Sequence, residues 1–346
     1  MRGTNLELKN RFETRSQETF DDGWETIGEE LPVVQTQFLV DHSKSIIFKN
    51  DSPDMPMGYS VNPYRGCEHG CAYCRARPYH EYLGFSAGID FESKIMVKHD
   101  APQLLRQAFE KRSWKPECVM MSGNTDCYQP AERKYRITRQ LLEVCLDYRN
   151  PVSILTKNAL ILRDLDLLRE LSSRSLVRTM LSITSFDKEL RRKLEPRTST
   201  AEMKLKAISE LSKAGVPVGV MIGPIIPGLN DNEIPSILKR SGEAGATFVA
   251  HTILRLPHAV APIFTDWLEK NYPEKANRVI TRVKMIRGGK LNDPRWGTRM
   301  TGEGGYADYM HQLVAAITKR YGMDKPRPPL RTDLFRRAGA PNLFDP

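Results

Sequence analysis

The 346-residue sequence contains no run of 18 or more apolar residues, so it offers no membrane-spanning helix. Its opening stretch, MRGTNLELKNRFETRSQETFDDGWET, has no apolar core and does not read as a secretory signal. Neither G-x-x-x-x-G-K-[ST] nor HExxH occurs, which removes nucleoside triphosphatase and metalloprotease readings. No repeat appears at a period of about 20–50 residues. Cysteine is scarce, with 6 in the chain, and Cys118, Cys127 and Cys145 are scattered. That usage points to a reducing cytoplasm, not to a disulfide scaffold.

Hydrophobic residues make up 40% and charged residues 27%, enough for a sizeable core. The net charge of +10 is uneven. Residues 271–346 carry 15 Lys and Arg against 7 Asp and Glu, a net of +8. Such a block suits nucleic acid or another polyanion, or else forms a solvated surface and tail.

The remaining cysteines form one compact motif, CEHGCAYC, with Cys67, Cys71 and Cys74 spaced C-x3-C-x2-C. Gly66 and Gly70 give the loop the freedom to wrap a compact group, and Tyr73 offers a flat surface to pack on it. Three thiolates suit a [4Fe-4S] cube whose fourth iron stays open to another ligand, whereas ferredoxin-type clusters close all four irons with cysteine. A zinc site completed by His69 or His80 is the alternative, although the second ligand pair of such sites is missing. Three buried thiols are the other alternative.

At these residues the chain resembles the radical S-adenosylmethionine (SAM) superfamily. RGCEHGCAYCRARPYHEY and SGNTDCYQPAE resemble its spore photoproduct lyase-like branch, often called DNA repair photolyase, over roughly residues 55 to 300. The resemblance implies a [4Fe-4S] cluster on Cys67, Cys71 and Cys74, with SAM chelating the open iron. It implies reductive cleavage of SAM to a 5′-deoxyadenosyl radical that abstracts hydrogen from a substrate. An external electron donor of flavodoxin or ferredoxin type follows from that chemistry. DNA or RNA is the candidate partner, and a nucleic-acid base the candidate substrate. A peptide or small metabolite is the alternative substrate, and a non-catalytic iron–sulfur or zinc protein a third reading.

The same resemblance assigns candidate SAM contacts. Ser122, Gly123, Asn124 and Thr125 stand where the methionine ammonium is expected, although all four residue types also form turns. Lys157 is a candidate for the methionine carboxylate, and Ser182 and Thr184 for the ribose. Glu195 and Arg197 offer either an ion pair that fixes a loop or a ligand role. Ile225, in GPIIPGLND, and residues 254–257 are candidates for flanking the adenine. The chain departs from the lyase pattern in one respect. The lyase's hydrogen-donating cysteine would fall near Gly123 or Asn124, and the nearest cysteine here is Cys127. Cys127 and the adjacent Tyr128 are therefore the candidate catalytic pair.

From Gly58 onward strands and helices alternate. Apolar runs at 118–123, 152–157, 177–184, 217–228 and 246–257, with a first strand before Cys67, read as strands apolar on both faces. Helices are expected over 132–149, 161–175, 187–195, 201–215, 232–245 and about 262–287, with Gly215 as a C-cap. Six β-α units predict an α/β fold, a partial (β/α)6 barrel of TIM type with its catalytic loops at the C-terminal strand ends. Residues 1–54 are expected as an N-terminal extension, 55–300 as the core and 301–346 as a basic C-terminal extension. Arg278 and Arg282 share a helix face. Trp296, between Arg295 and Arg299, is a candidate for stacking on an exposed base. The basic block is expected at the barrel mouth.

Overall fold

The computed structural model describes residues 2–13, 34–54 and 57–337. Its strands are β1 (Gln37–Val40), β2 (Ile47–Lys49), β3 (Tyr59–Val61), β4 (Tyr64–Arg65), β5 (Lys94–Val97), β6 (Val119–Met121), β7 (Val152–Thr156), β8 (Val177–Ser182), β9 (Val218–Ile225) and β10 (Val249–Ile253). The larger sheet runs β10-β9-β8-β7-β6-β3-β2. Six of its strands, β3 and β6 to β10, pair in parallel, and β2 caps the edge antiparallel to β3. Each strand neighbours the next in sequence order, which is the expected partial barrel. A small sheet, β1-β5-β4, stands beside it.

The strands depart from the expected pattern in one instructive way. β7 and β8 are not apolar on both faces but alternate. Val152 and Ile154, like Val177 and Leu181, join the core against the helices, while Ser153, Leu155, Arg178 and Met180 face a hollow interior. A barrel with a cavity needs that alternation, because only its outer face is covered by helices.

The helix expected over 132–149 is broken. Arg136 takes φ 52° between Glu132–Tyr135 and Ile137–Asp147. The cause is the buried Glu132 carboxylate, which accepts the Thr138 amide (3.1 Å to each oxygen), the Arg163 guanidinium (2.8 Å) and the Tyr64 hydroxyl. The region from 262 to 287 likewise splits into Val260–Asn271 and Pro273–Met285, since Pro273 cannot continue the first helix and opens the second. The helix Ala201–Lys213 is capped by Thr200, whose hydroxyl accepts the Met203 amide, and Gly215 follows it at φ 75°.

Described residues of both expected extensions are built into the fold. Residues 34–54, expected as an outer extension, supply β1 and β2. Near Gly3 a strap crosses the cysteine loop so closely that a Cβ on Gly3 would sit 1.5 Å from the Gly70 carbonyl oxygen. At the other end the chain bridges Phe248 through Asp324, and the Arg331 and Arg336 amides donate to the Ser175 and Tyr148 carbonyls (3.0 Å each). The basic block is therefore divided. Residues 295–300 lie at the C-terminal strand ends, whereas Arg327 reaches the cavity beside Arg178, near the start of β8. Residues 14–33 and 338–346 of the two expected extensions lie outside the described residues. Among the described residues no helix is long and apolar enough to cross a membrane.

Candidate active site

β3 delivers the chain into the cysteine loop, and two glycines bend it. Gly66 (φ 77°) and Gly70 (φ 65°) take left-handed conformations. A Cβ on Gly70 would approach Glu92 Oε2 to 2.5 Å, so only glycine fits there. Glu92 cannot move aside, because it forms a buried ion pair with Arg77, whose Nε donates to the Cys71 carbonyl at 3.0 Å. Cys67 and Cys71 are 6% and 7% exposed and Cys74 is half-buried. All three face one cavity of about 450 Å³ that runs from the C-terminal strand ends down to Arg178 near the start of β8.

Burial pushes the Cys67 thiol well up, and Asp126 and the other two thiols add to the effect. An electrophilic metal is the natural means of deprotonating such a group. The donor set fits a cluster with one open iron. Three soft sulfurs share the cavity wall, and Cys118, Cys127 and Cys145 do not reach it. The histidine alternatives fit less well. His69 lines the cavity, but Nδ1 lies 3.4 Å from Asp126 and Nε2 lies 3.3 Å from Asn158 Nδ2. His80 packs between Phe85 and Phe91 and is not on the cavity wall.

Beneath the cysteine loop lies a buried ionic network centred on Glu195. Its carboxylate receives Lys157 Nζ at 3.0 Å, Lys204 Nζ at 3.5 Å, the Thr184 hydroxyl at 2.6 Å and the Tyr73 hydroxyl. Burial favours the neutral acid, but the two ammonium groups outweigh it and hold Glu195 well below the usual carboxylate range. Lys204 is pushed down to about 8, because burial dominates and Lys157 competes for the same counter-charge. For Lys157 burial also opposes the charge, but Glu195 and Cys71 prevail and its pKa rises. Its Nζ further reaches Ser182 Oγ (2.7 Å) and the Gly223 carbonyl (2.9 Å) and sits 5.6 Å over the Tyr73 ring.

This geometry revises several expectations. Lys157 lines the cavity, yet its ammonium is committed to Glu195, which displaces it as the partner of a methionine carboxylate. Glu195 and Arg197 do not pair with each other, since Arg197 reaches Glu68 in the cysteine loop at 2.8 Å. Ser122, Gly123, Asn124 and Thr125 all line the cavity. The Ser122 and Thr125 side chains are already engaged, however, with the Cys127 amide (2.8 Å) and the Tyr64 carbonyl (2.8 Å). What this turn offers a ligand is backbone, held by Asn62 Oδ1 on the amides of Asn124 and Thr125.

Ser182 reaches the cavity, but Thr184 does not, because its hydroxyl turns to Glu195. Ile225 is buried off the wall, which is formed at that level by Gly223 and Pro224. Cys127 and Tyr128 are both fully buried outside the cavity, so they are corrected as catalytic candidates. Ser122, at φ 74°, turns the chain so that Cys127 packs into the core and the Tyr128 hydroxyl donates to Asp164 (3.1 Å).

Sequence reasoning missed His251, which lies on the cavity wall together with Asp126, a candidate acceptor for the methionine ammonium, and Arg255, inside the segment 254–257 expected to flank the adenine. Asp126 accepts the Thr156 hydroxyl (2.7 Å) and the Lys157 amide (2.8 Å), linking two strand ends. His251 Nε2 lies 2.6 Å from His311 Nδ1 on the helix Gly305–Arg320. Burial, reinforced by His311, lowers His251 to about 4 from an ordinary 6.5. The unfolded chain therefore takes up this proton more readily than the folded one. The stability that results is present above pH 6.5 and is lost as the pH falls toward 4. We expect the unfolding free energy from urea titration to drop across that window by on the order of 1–3 kcal/mol, and His251→Gln to flatten the fall. An unchanged pH slope in the variant would remove His251 as the cause.

Comparison with known proteins agrees with this geometry. The family model of the radical SAM superfamily matches residues 61–240. An uncharacterized protein of Mycobacterium tuberculosis is 34% identical over 280 residues, covering 80% of this chain and 78% of its own. A radical SAM Nalpha-GlyT isomerase of Pseudomonas phage M6 is 23% identical over 265 residues, covering 76% of this chain and 52% of its own. Among solved structures, a mutant spore photoproduct lyase superposes with TM-score 0.58 at 15% identity, over 82% of this chain and 79% of that one. Another mutant of that lyase, with bound AdoMet and dinucleoside spore photoproduct, gives TM-score 0.57 at 16% identity, over 82% and 78%. At such identities the lyases support the fold alone. The family match, the relatives and the three-cysteine cavity lead to one conclusion: this chain belongs to the radical SAM superfamily, whose members work with a [4Fe-4S] cluster and SAM.

Proposed function

We propose that the protein is a radical SAM enzyme acting on a base within nucleic acid. The observation that carries this reading is the make-up of the cavity and of the chain next to it. Three thiols converge inside it, and Arg75 and Arg255 line it. Trp296, 55% exposed and four residues before the cavity-lining Met300, carries the Arg299 guanidinium 4.9 Å from its ring centroid. An exposed aromatic beside cations is the surface that stacks an unpaired base. The lyase structure with a bound dinucleoside supports the same substrate class.

Cys67, Cys71 and Cys74 hold the cluster in this scheme, and the turn at Ser122–Thr125 presents backbone to SAM. Once bound, the cluster and SAM would supply reductively triggered hydrogen-atom abstraction from the substrate. The chain's own part is positional. Glu195 fixes Tyr73 and Lys157 beneath the loop, and Asp126 ties the ends of β6 and β7. An external flavodoxin- or ferredoxin-type donor provides the electron.

The decisive test is anaerobic turnover with dithionite, SAM and base-deuterated oligonucleotide. Release of 5′-deoxyadenosine carrying deuterium is the expected result. Release without deuterium, alongside label transfer from a peptide or metabolite pool, would overturn the substrate class. Trp296→Ala should weaken single-stranded oligonucleotide binding by about 1–3 kcal/mol. Arg295 should contribute little, because Asp293 (2.9 Å) and Glu303 (2.6 Å) already neutralise it.

A further inference from the structure

Arg255 leaves the barrel two residues beyond the end of β10 and lines the cavity. Its Nε is buried without a hydrogen-bond partner, and one terminal nitrogen reaches only the Met300 sulfur at 3.0 Å. A guanidinium carries five donors and no acceptor, so this one is largely unsatisfied within the chain. Its charged surroundings are of its own sign. Arg75, Arg299 and Arg287 all act on it, and Asp54 is the acid that opposes them.

The neighbours are committed elsewhere. Asp54 is taken by the Arg299 Nε and by the Gly297 amide at 2.8 Å. Arg287 spends its donors on the carbonyls of Ile253, Leu254, Thr298 and Arg299 at 2.9–3.2 Å. Arg75 gives one bond to the Gly123 carbonyl at 2.9 Å and is otherwise exposed at the cavity. Counting Arg75, Arg255, Arg287 and Arg299 against Asp54 leaves three positive charges in excess around this part of the cavity. Such an arrangement is unfavourable on its own and becomes favourable when an anion enters.

Resting on the reading that a base is the substrate, we propose that Arg255, backed by Arg75, binds the phosphodiester next to the base that stacks on Trp296. A planar fork matches two phosphate oxygens, and a half-buried site strengthens the pairing. Phosphate recognition here sets the register of the strand, so that one nucleotide is offered to the cavity. The site recognises a nucleotide inside a chain and disfavours a free nucleoside.

The test compares two probes on the SAM-bound anaerobic holoenzyme by fluorescence anisotropy. One is a short single-stranded oligothymidylate, and the other carries a neutral methylphosphonate at one linkage. Scanned along the strand, one linkage is expected to weaken binding about tenfold or more when neutralised. In Arg255→Gln that position-specific penalty should vanish, and in Arg255→Lys part of it should return. Equal binding at every linkage overturns the phosphate site while leaving the base reading intact. A penalty that persists in Arg255→Gln overturns it too, as does a loss of SAM affinity with the penalty retained, which would assign Arg255 to the methionine carboxylate. No binding of either probe by protein that still cleaves SAM overturns both readings.

Discussion

Replacing Cys67, Cys71 or Cys74 with alanine is expected to remove the iron–sulfur cluster and, with it, all SAM cleavage. Anaerobically prepared wild type should contain about four irons per chain and show a reduced-cluster signal that changes when SAM is added. Each single variant should lose both, because two thiolates cannot hold a cube in a cavity where no other cysteine reaches the wall. Cys118→Ala and Cys145→Ala should leave iron content untouched, since neither faces the cavity. Stoichiometric zinc in place of iron would refute this account. So would full iron content in any of the three variants.

The second large effect is on stability. Glu195→Ala should cost about 3–5 kcal/mol, the penalty for leaving buried charge without its partner. Lys157 and Lys204 share this one carboxylate, and Tyr73 and Thr184 hydrogen-bond to it. Urea unfolding monitored by far-UV circular dichroism would read the loss directly. Removing one of the stranded ammonium groups should recover part of it, so Glu195→Ala/Lys204→Met is expected to be more stable than Glu195→Ala alone. A double variant that is less stable by the full sum of the single losses would show that the two residues do not act as a unit.

The β-α rhythm was legible because each strand is a short apolar run closed by glycine, proline or a turn, and each helix carries its own apolar stripe. The cysteine spacing was legible because a cluster loop is local in sequence. The contacts expected around it were harder to read, because they depend on which side chains the fold spends internally. Lys157 looked available at a strand end, but Glu195 sits 38 positions later and captures it. Cys127 looked adjacent to the chemistry, but a single residue at positive φ, Ser122, turns it into the core. Arg255 stood in the segment 254–257 expected to flank the adenine, but nothing local marked its charge as unpartnered. Its importance comes from Arg75, Arg287 and Arg299, which converge on it from distant parts of the sequence.

The strap over the cysteine loop has a consequence for time as well as for shape. It is held by a few exchanges, including the Gly3 amide on Glu92 (2.7 Å), the Leu8 amide on Ser86 (3.1 Å) and the Asn10 side chain on the Glu81 carbonyl (2.8 Å). Such a segment, with few buried apolar side chains, opens at far lower free energy than a barrel strand. Each opening bares the backbone of Gly70 and the outer side of the loop that carries the thiols. Removing the strap's hold, as in Asn10→Ala, is therefore expected to speed loss of iron in air before any loss of barrel structure, read as iron content against far-UV circular dichroism.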